Sequence, residues 1–436
     1  MEMRNGAMDG ERTNGGNYKW VALALLTVGY FMQQGTRQIF NAVLPQMKAD
    51  FPDVTGSDWG TVMSVFSLVY GFCVLFAGVI GDLFSRKKVI ASSLAIFSLA
   101  ILVAGFAQPL GPVSLVAYLV AAYGVVFAVG QCLLPSSANS ILSQLHEKTR
   151  STAMSVMQSS LYVAVVFVSL SAGWLSGLGR GAWRYPFWIF GALGLGWFAV
   201  TCFCLRDTKP LPPAPGAPQK ASAKEAFLAF ARKPSAWLLT LAFGFQVFTN
   251  FGFTVWTPVY MKETFYADPS LKGTVAASMA AFHSVIWHYA GCIVGIMVAS
   301  RVSDRLAAKW RPARMAINFV GLFSGAPCIY LAYATDRLGL CCLGLFLFGL
   351  AHGVYDSNMF ASLYDVIKPR YRAAATGFMC FGAFIMGAVA PKLFGALQDA
   401  GISNKNCLSG LSLSYLAGSL VVLFTIFAFL KRDYEE

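Results

Sequence analysis

The stretch GVIGDLFSRKKV, residues 78–89, closes an apolar run with an aspartate and then three bases, and SRVSDRLAAKWR, residues 300–311, repeats the pattern late in the chain. Asp82 and Asp304 each fall just beyond the second apolar span of their half, so the chain reads as a duplication. Working outward from these loops gives twelve apolar spans, near 20–44, 59–80, 89–108, 113–142, 151–176, 183–205, 236–260, 275–299, 315–335, 338–366, 372–397 and 408–430. Each is about 20 residues or longer, enough at about 1.5 Å per residue to cross a hydrocarbon layer of about 30 Å. With 57% hydrophobic residues, 12% charged and a mean hydropathy of +0.59, the chain carries far more apolar surface than a soluble core needs. The expected fold is all-α, an integral membrane protein of twelve transmembrane helices in two six-helix bundles. A Pro-, Ala- and Lys-rich break divides the spans six and six. The expected organisation is a tail at 1–19, a first bundle at 20–205, a central loop at 206–235, a second bundle at 236–430 and a tail at 431–436.

Orientation follows from the bases. If both termini share a side, 24 of the 33 lysines and arginines lie on that side, eight lie on the other, and Arg37 lies within a span. The positive-inside rule then makes both termini cytoplasmic, in a plasma membrane, or the inner membrane of a Gram-negative cell. The net charge of +13 is topogenic and spread over short loops, which argues against a nucleic-acid partner. The first 19 residues lack a cleavable signal layout, and the first span itself serves as the targeting signal. Ten cysteines are scattered without a C-x-x-C pair, and no Walker A motif or catalytic triad spacing is present. The expectation is no enzyme, no cofactor and no metal site, with transport driven by a gradient. Duplicated helical halves are the architecture of secondary transporters, whose site lies between the halves.

These features together resemble the major facilitator superfamily over nearly the whole chain. Its loop signature, G-x-x-x-D-[RK]-x-G-R-[RK]-[RK], is met by Gly78, Asp82, Arg86, Lys87 and Lys88, with departures at Leu83 and Ser85; the second copy keeps Asp304 and Arg305. A carboxylate at a helix end beside bases can pair across two halves and break when they rock apart, so Asp82, Arg86, Asp304 and Arg305 are expected to gate. Within the superfamily the chain is similar to the anion:cation symporters and the organophosphate:phosphate antiporters. RQIFNAVLP (37–45), FTNFGFTVWTPVYMKETF (248–265), VIKPRYRAAATGF (366–378) and GAVAPKLFGALQD (387–399) carry that likeness.

By this resemblance Arg37 is the substrate-binding arginine, and its fixed fork suits a carboxylate or a phosphate. The antiporters' second arginine, on the seventh span, is replaced by Asn250, which favours a monoanionic carboxylate over a divalent phosphate ester. The symporters' aspartate before the arginine is replaced by Thr36, and the fourth span has no acid. The resemblance implies a path lined by the first, fourth, seventh and tenth spans. Their polar residues are Gln34 and Gln38, then Tyr123 and Gln131, then Asn250 and Trp256, then Tyr355 and Asn358, a set suited to a polyhydroxylated ligand.

A proton needs a carboxylate, and GLAHGVYDSNMF (349–360) supplies it: Asp356 is the carboxylate well inside a span, with His352 one turn earlier on the same face. His283 and His288, five apart, point in different directions, and each serves either as a donor to substrate or as a packing residue. The reading is a secondary active transporter that takes up a small organic anion, a sugar acid such as sialate, a hexuronate or an aldonate, with protons. Sodium remains the alternative coupling ion. The rival readings are an organophosphate exchanger, and then a multidrug exporter or a transporter-like sensor.

Overall fold

The computed structural model describes residues 2–108, 114–146, 149–207, 223–307 and 309–434, with the side chains of 2–17, 78–79, 81–83, 150–151, 223 and 304 left aside. Among the described residues, twelve long helices follow one another: α1 (Glu2–Asp50), α2 (Gly56–Leu83), α3 (Arg86–Ala104), α4 (Leu115–Leu145), α5 (Arg150–Ser176), α6 (Arg184–Cys204), α7 (Pro234–Phe265), α8 (Gly273–Ala307), α9 (Ala313–Ala334), α10 (Leu338–Asp356), α11 (Arg372–Asp399) and α12 (Asn404–Ala428). In hydrocarbon every backbone N–H and C=O must be satisfied within the segment, which leaves the helix as the solution for these runs. Eleven of these spans are apolar enough by composition alone to cross a membrane. The exception is α1, whose run of Gln33, Gln34, Thr36, Arg37 and Gln38 dilutes its hydropathy.

Helix starts are set by side chains. Thr55 and Asp58 form a capping box that begins α2 at Gly56, three residues before the apolar run. Ser85, Ser114 and Ser403 cap α3, α4 and α12 more simply, each side chain accepting the N–H three residues on. Pro234 stands at the first turn of α7, where its missing N–H costs nothing. The expected central loop contains a short helix, Ala223–Ala231, while residues 208–222 lie outside the described residues.

The first and last six helices meet along two long seams, α2 against α11 and α5 against α8, with α1 crossing α7 between them. At the end away from the chain termini these seams close backbone on backbone. A Cβ built on Gly395 would stand 2.0 Å from the Gly56 carbonyl oxygen, one on Gly60 2.2 Å from that of Pro391, and one on Gly177 2.5 Å from that of Gly273. Only glycine permits such approach. The Asp399 carboxylate of α11 accepts the N–H groups of Gly56 at 2.7 Å and Ser57 at 2.8 Å, so one half caps the first turn of a helix in the other. Toward the termini the α2–α11 seam loosens: a Cβ on Gly377 would find its nearest neighbour, the Leu75 side chain, at 3.7 Å.

Candidate functional site

On the termini side of this seal lies a cavity of about 580 Å³, walled by α1, α2, α5, α7, α8, α10 and α11. Arg37 faces into it from α1. Its guanidinium lies 4.3 Å from the Tyr70 ring centre and 5.2 Å from that of Phe66, and its Nη1 donates to Gln34 Oε1 at 3.5 Å. Aromatic faces compensate part of a cation's desolvation without neutralising it. Among the described residues no carboxylate stands within ion-pair distance of Arg37, so its charge is available to a ligand. Gln34, Gln38 and Asn250 share the cavity wall with it, as the sequence suggested.

The fourth helix behaves differently from expectation. None of its residues lines the cavity; it stands behind α1 and holds it. The Tyr123 hydroxyl donates to the Arg37 carbonyl at 3.0 Å, and Gln131 Nε2 donates to the Gln33 carbonyl at 3.0 Å and to Thr36 Oγ1 at 3.3 Å, while Gln33 donates back to the Gln131 carbonyl. Tyr123 sits in a π-helical stretch, Val120–Phe127. Both residues thus stand behind α1 instead of in the cavity wall, a correction to the expectation: the Tyr123 hydroxyl and Gln131 Nε2 are bonded to α1, and Gln131 Oε1 is buried without a hydrogen-bond partner among the described residues. Three more of the expected contacts lie off the cavity wall. Trp256 is buried with its indole N–H on the Pro391 carbonyl at 3.1 Å, Tyr355 is buried in the core behind α10, and Asn358 is buried against Ser303 and Ser357. Of the gating set, the Asp82 and Asp304 side chains lie outside the described residues. Arg86 is buried, its Nη1 without a hydrogen-bond partner among the described residues, and Arg305 is exposed.

The tenth span is discontinuous. α10 ends at Asp356, Ser357 and Asn358 form a turn, and helix resumes at Met359–Tyr364. Asp356 therefore sits at a helix end inside the cavity wall, its carboxylate 3.3 Å from His352 Nε2. Gln246 of α7 also meets His352 Nε2. On its other side, His352 Nδ1 lies 3.1 Å from His288 Nε2 of α8, and Cys292 Sγ lies 3.5 Å from that same nitrogen. His283, by contrast, is occupied by the Trp287 indole N–H at 2.9 Å and stays off the cavity wall.

Glycines place these groups together. GCIVG (291–295) on α8 faces GLAHG (349–353) on α10, and a Cβ on Gly349 would stand 1.9 Å from the His288 carbonyl oxygen, one on Gly353 2.3 Å from that of Cys292. Small residues four apart let membrane helices touch along their backbones. This pair of motifs is the sequence signal that would have brought His288 and Cys292 to His352. The cavity also recruits Asn41, Gln158, Tyr162 and Tyr289, none of which was singled out from the sequence.

With this geometry in view, the chain compares with known proteins as follows. The family model described as Major Facilitator Superfamily matches residues 26–391. A protein of Cupriavidus necator named "Probable sulfoacetate transporter SauU" is 25% identical over 404 residues, covering 86% of each chain. The "Hexuronate transporter" of Bacillus subtilis is 24% identical over 387 residues, 86% of this chain and 85% of its own. Among solved structures, the inward-facing, unoccupied form of a bacterial homologue of the human lysosomal transporter spinster superposes with a TM-score of 0.71 at 20% identity, over 96% of this chain and 99% of that one.

Proposed function

The chain belongs to the major facilitator superfamily and is a secondary transporter, and from that premise we propose that it takes up a small organic anion of the sugar-acid class, such as a sialate, a hexuronate or an aldonate. The observation that carries the reading is Arg37, a cation without a carboxylate partner among the described residues, held against the rings of Tyr70 and Phe66 in the wall of the central cavity. A guanidinium offers two parallel N–H groups to a carboxylate. Around it Gln38, Asn41, Gln158, Gln246 and Asn250 offer neutral donors and acceptors for hydroxyl groups. The volume of about 580 Å³ falls within the range of about 300–1,000 Å³ usual for small-molecule sites. The names of the sulfoacetate and hexuronate relatives, both organic acids, lend support. An organophosphate exchanger is disfavoured because Arg37 is the one arginine among the cavity-lining residues, with Asn250 where a second is expected.

In this reading the bundles at 20–205 and 236–430 rock about the cavity, the termini are cytoplasmic, and uptake is coupled to protons at Asp356, the carboxylate in the cavity wall, with His352 beside it. The gating role stays with the loops around Asp82, Arg86, Asp304 and Arg305.

The test is thermal stabilisation of detergent-purified protein by a panel of sugar acids, neutral sugars and sugar phosphates. A true ligand at 100 times its dissociation constant stabilises by about 2.7 kcal/mol. Sugar acids should act on the native protein, and Arg37→Lys, which offers a point charge in place of a fork, should weaken the effect by about 1.5–3 kcal/mol of binding. A response to neutral sugars alone would overturn the anion reading.

A further inference from the structure

Three metal-binding side chains converge on one point of the cavity wall: His288 and Cys292 from α8, and His352 from α10. All three are buried, and their ligand atoms lie within 4.8 Å of one another. We propose that this triad binds a thiophilic first-row divalent cation of the Zn²⁺ class, with a fourth coordination position open to the cavity.

The spacing supports this. A tetrahedral centre with metal–nitrogen bonds of about 2.05 Å and a metal–sulfur bond of about 2.3 Å has nitrogen–nitrogen edges of about 3.3 Å and nitrogen–sulfur edges of about 3.6 Å. The structure has 3.1 Å between His352 Nδ1 and His288 Nε2, and 3.5 Å between His288 Nε2 and Cys292 Sγ. The second shell is in place for one histidine: the Asp356 carboxylate, 3.3 Å from His352 Nε2, accepts that N–H and leaves Nδ1 as the bare nitrogen facing the triad. The remaining nitrogen of His288, Nδ1, is buried without a hydrogen-bond partner among the described residues. Two imidazoles and a thiolate select soft or borderline cations over Mg²⁺ and Ca²⁺, which require oxygen ligands. Binding converts the Cys292 thiol to a thiolate and releases its proton to solvent.

The cation would use Nδ1 of His352, while the contact with Asp356 uses Nε2, so both occupy the ring without conflict. It would add a second positive centre to a cavity whose other one is Arg37. The inference does not depend on which substrate the protein carries.

The experiment is optical titration of the full-length purified protein with Co²⁺, followed by displacement with Zn²⁺. One equivalent should give the intense d–d bands of a tetrahedral site together with a thiolate-to-cobalt charge-transfer band, and Zn²⁺ should abolish both. Loss of an outer-shell partner alone weakens metal sites by about 10–100-fold, so His288→Ala should weaken Co²⁺ binding by at least about tenfold. Cys292→Ala should remove the charge-transfer band. Absence of a thiolate band in the native protein, which needs no variant to fold, would overturn the proposal. So would a band that persists in Cys292→Ala, since nine other free cysteines would then be its source. The readout is coordination, so a protein that failed every sugar-acid assay would still decide it.

Discussion

At the scale of single residues, Arg37 and Asp356 are the two formally charged groups lining the cavity apart from its histidines, and they come from opposite halves. Both were legible in the sequence because a charge inside an apolar span has few innocent explanations. The uncharged candidates were less legible. Tyr123, Gln131, Trp256, Tyr355 and Asn358 have the chemistry of a sugar site, yet none lines the cavity: the first three donate to backbone carbonyls, Asn358 bonds to two serines and Tyr355 is buried in the core. Asp356→Asn should abolish accumulation of substrate against a gradient and flatten the pH dependence of uptake while sparing counterflow, because exchange of bound substrate moves no net proton. Reconstituted vesicles with an imposed pH gradient measure both. Concentrative, pH-dependent uptake by the variant would place the proton site elsewhere, and a sodium-dependence assay would then test the other coupling ion.

At the scale of elements, the apolar runs revealed the helices, and the caps explain where the ends moved. Which helices line the cavity was not legible, because that depends on rotation about each helix axis and on how closely neighbours approach. The α8–α10 contact shows the difficulty: four glycines decide it, and glycine carries no hydropathy signal. Gly349→Ala should lower the thermal midpoint markedly, at a cost of about 1–3 kcal/mol, because its Cβ would meet the His288 carbonyl oxygen at 1.9 Å. Gly339→Ala on the same helix meets nothing within 4 Å and should be neutral. A second element-scale prediction concerns the start of α7, where Asp433 accepts the Ser235 N–H at 3.0 Å. Burial alone would raise the Asp433 carboxyl, but the Ser235 amide and the Arg432 guanidinium outweigh it and hold the group below its ordinary value. A lowered folded value stabilises above the unfolded carboxylate pKa of about 4 and fades as pH falls through the folded one. Thermal midpoints of the native protein and Asp433→Asn should therefore differ at neutral pH and converge in acid.

At the scale of the whole molecule, twofold repetition and a central cavity were legible from two aspartates and a loop, whereas the state of the seams was not. Closure at the far end rests on glycine backbones and one carboxylate reaching across the halves, features that acquire meaning only when α2 and α11 lie side by side. Asp399→Ala should loosen that end, and hydrogen–deuterium exchange at the amides of Gly56 and Ser57, which it now holds at 2.7 and 2.8 Å, should accelerate. Unchanged exchange would mean that the glycine contacts suffice alone. The tightness of this seam bears on the cell's electrical economy. Where Gly56 lies on Gly395 and Gly60 on Pro391, no room remains between the two backbones for a file of water molecules, so this seam should pass neither protons nor small ions. A membrane can then hold many copies at rest without short-circuiting the gradient on which each depends. Bulkier residues at these positions, by wedging the seam apart, should first be noticed as a leak current and only afterwards as a loss of transport.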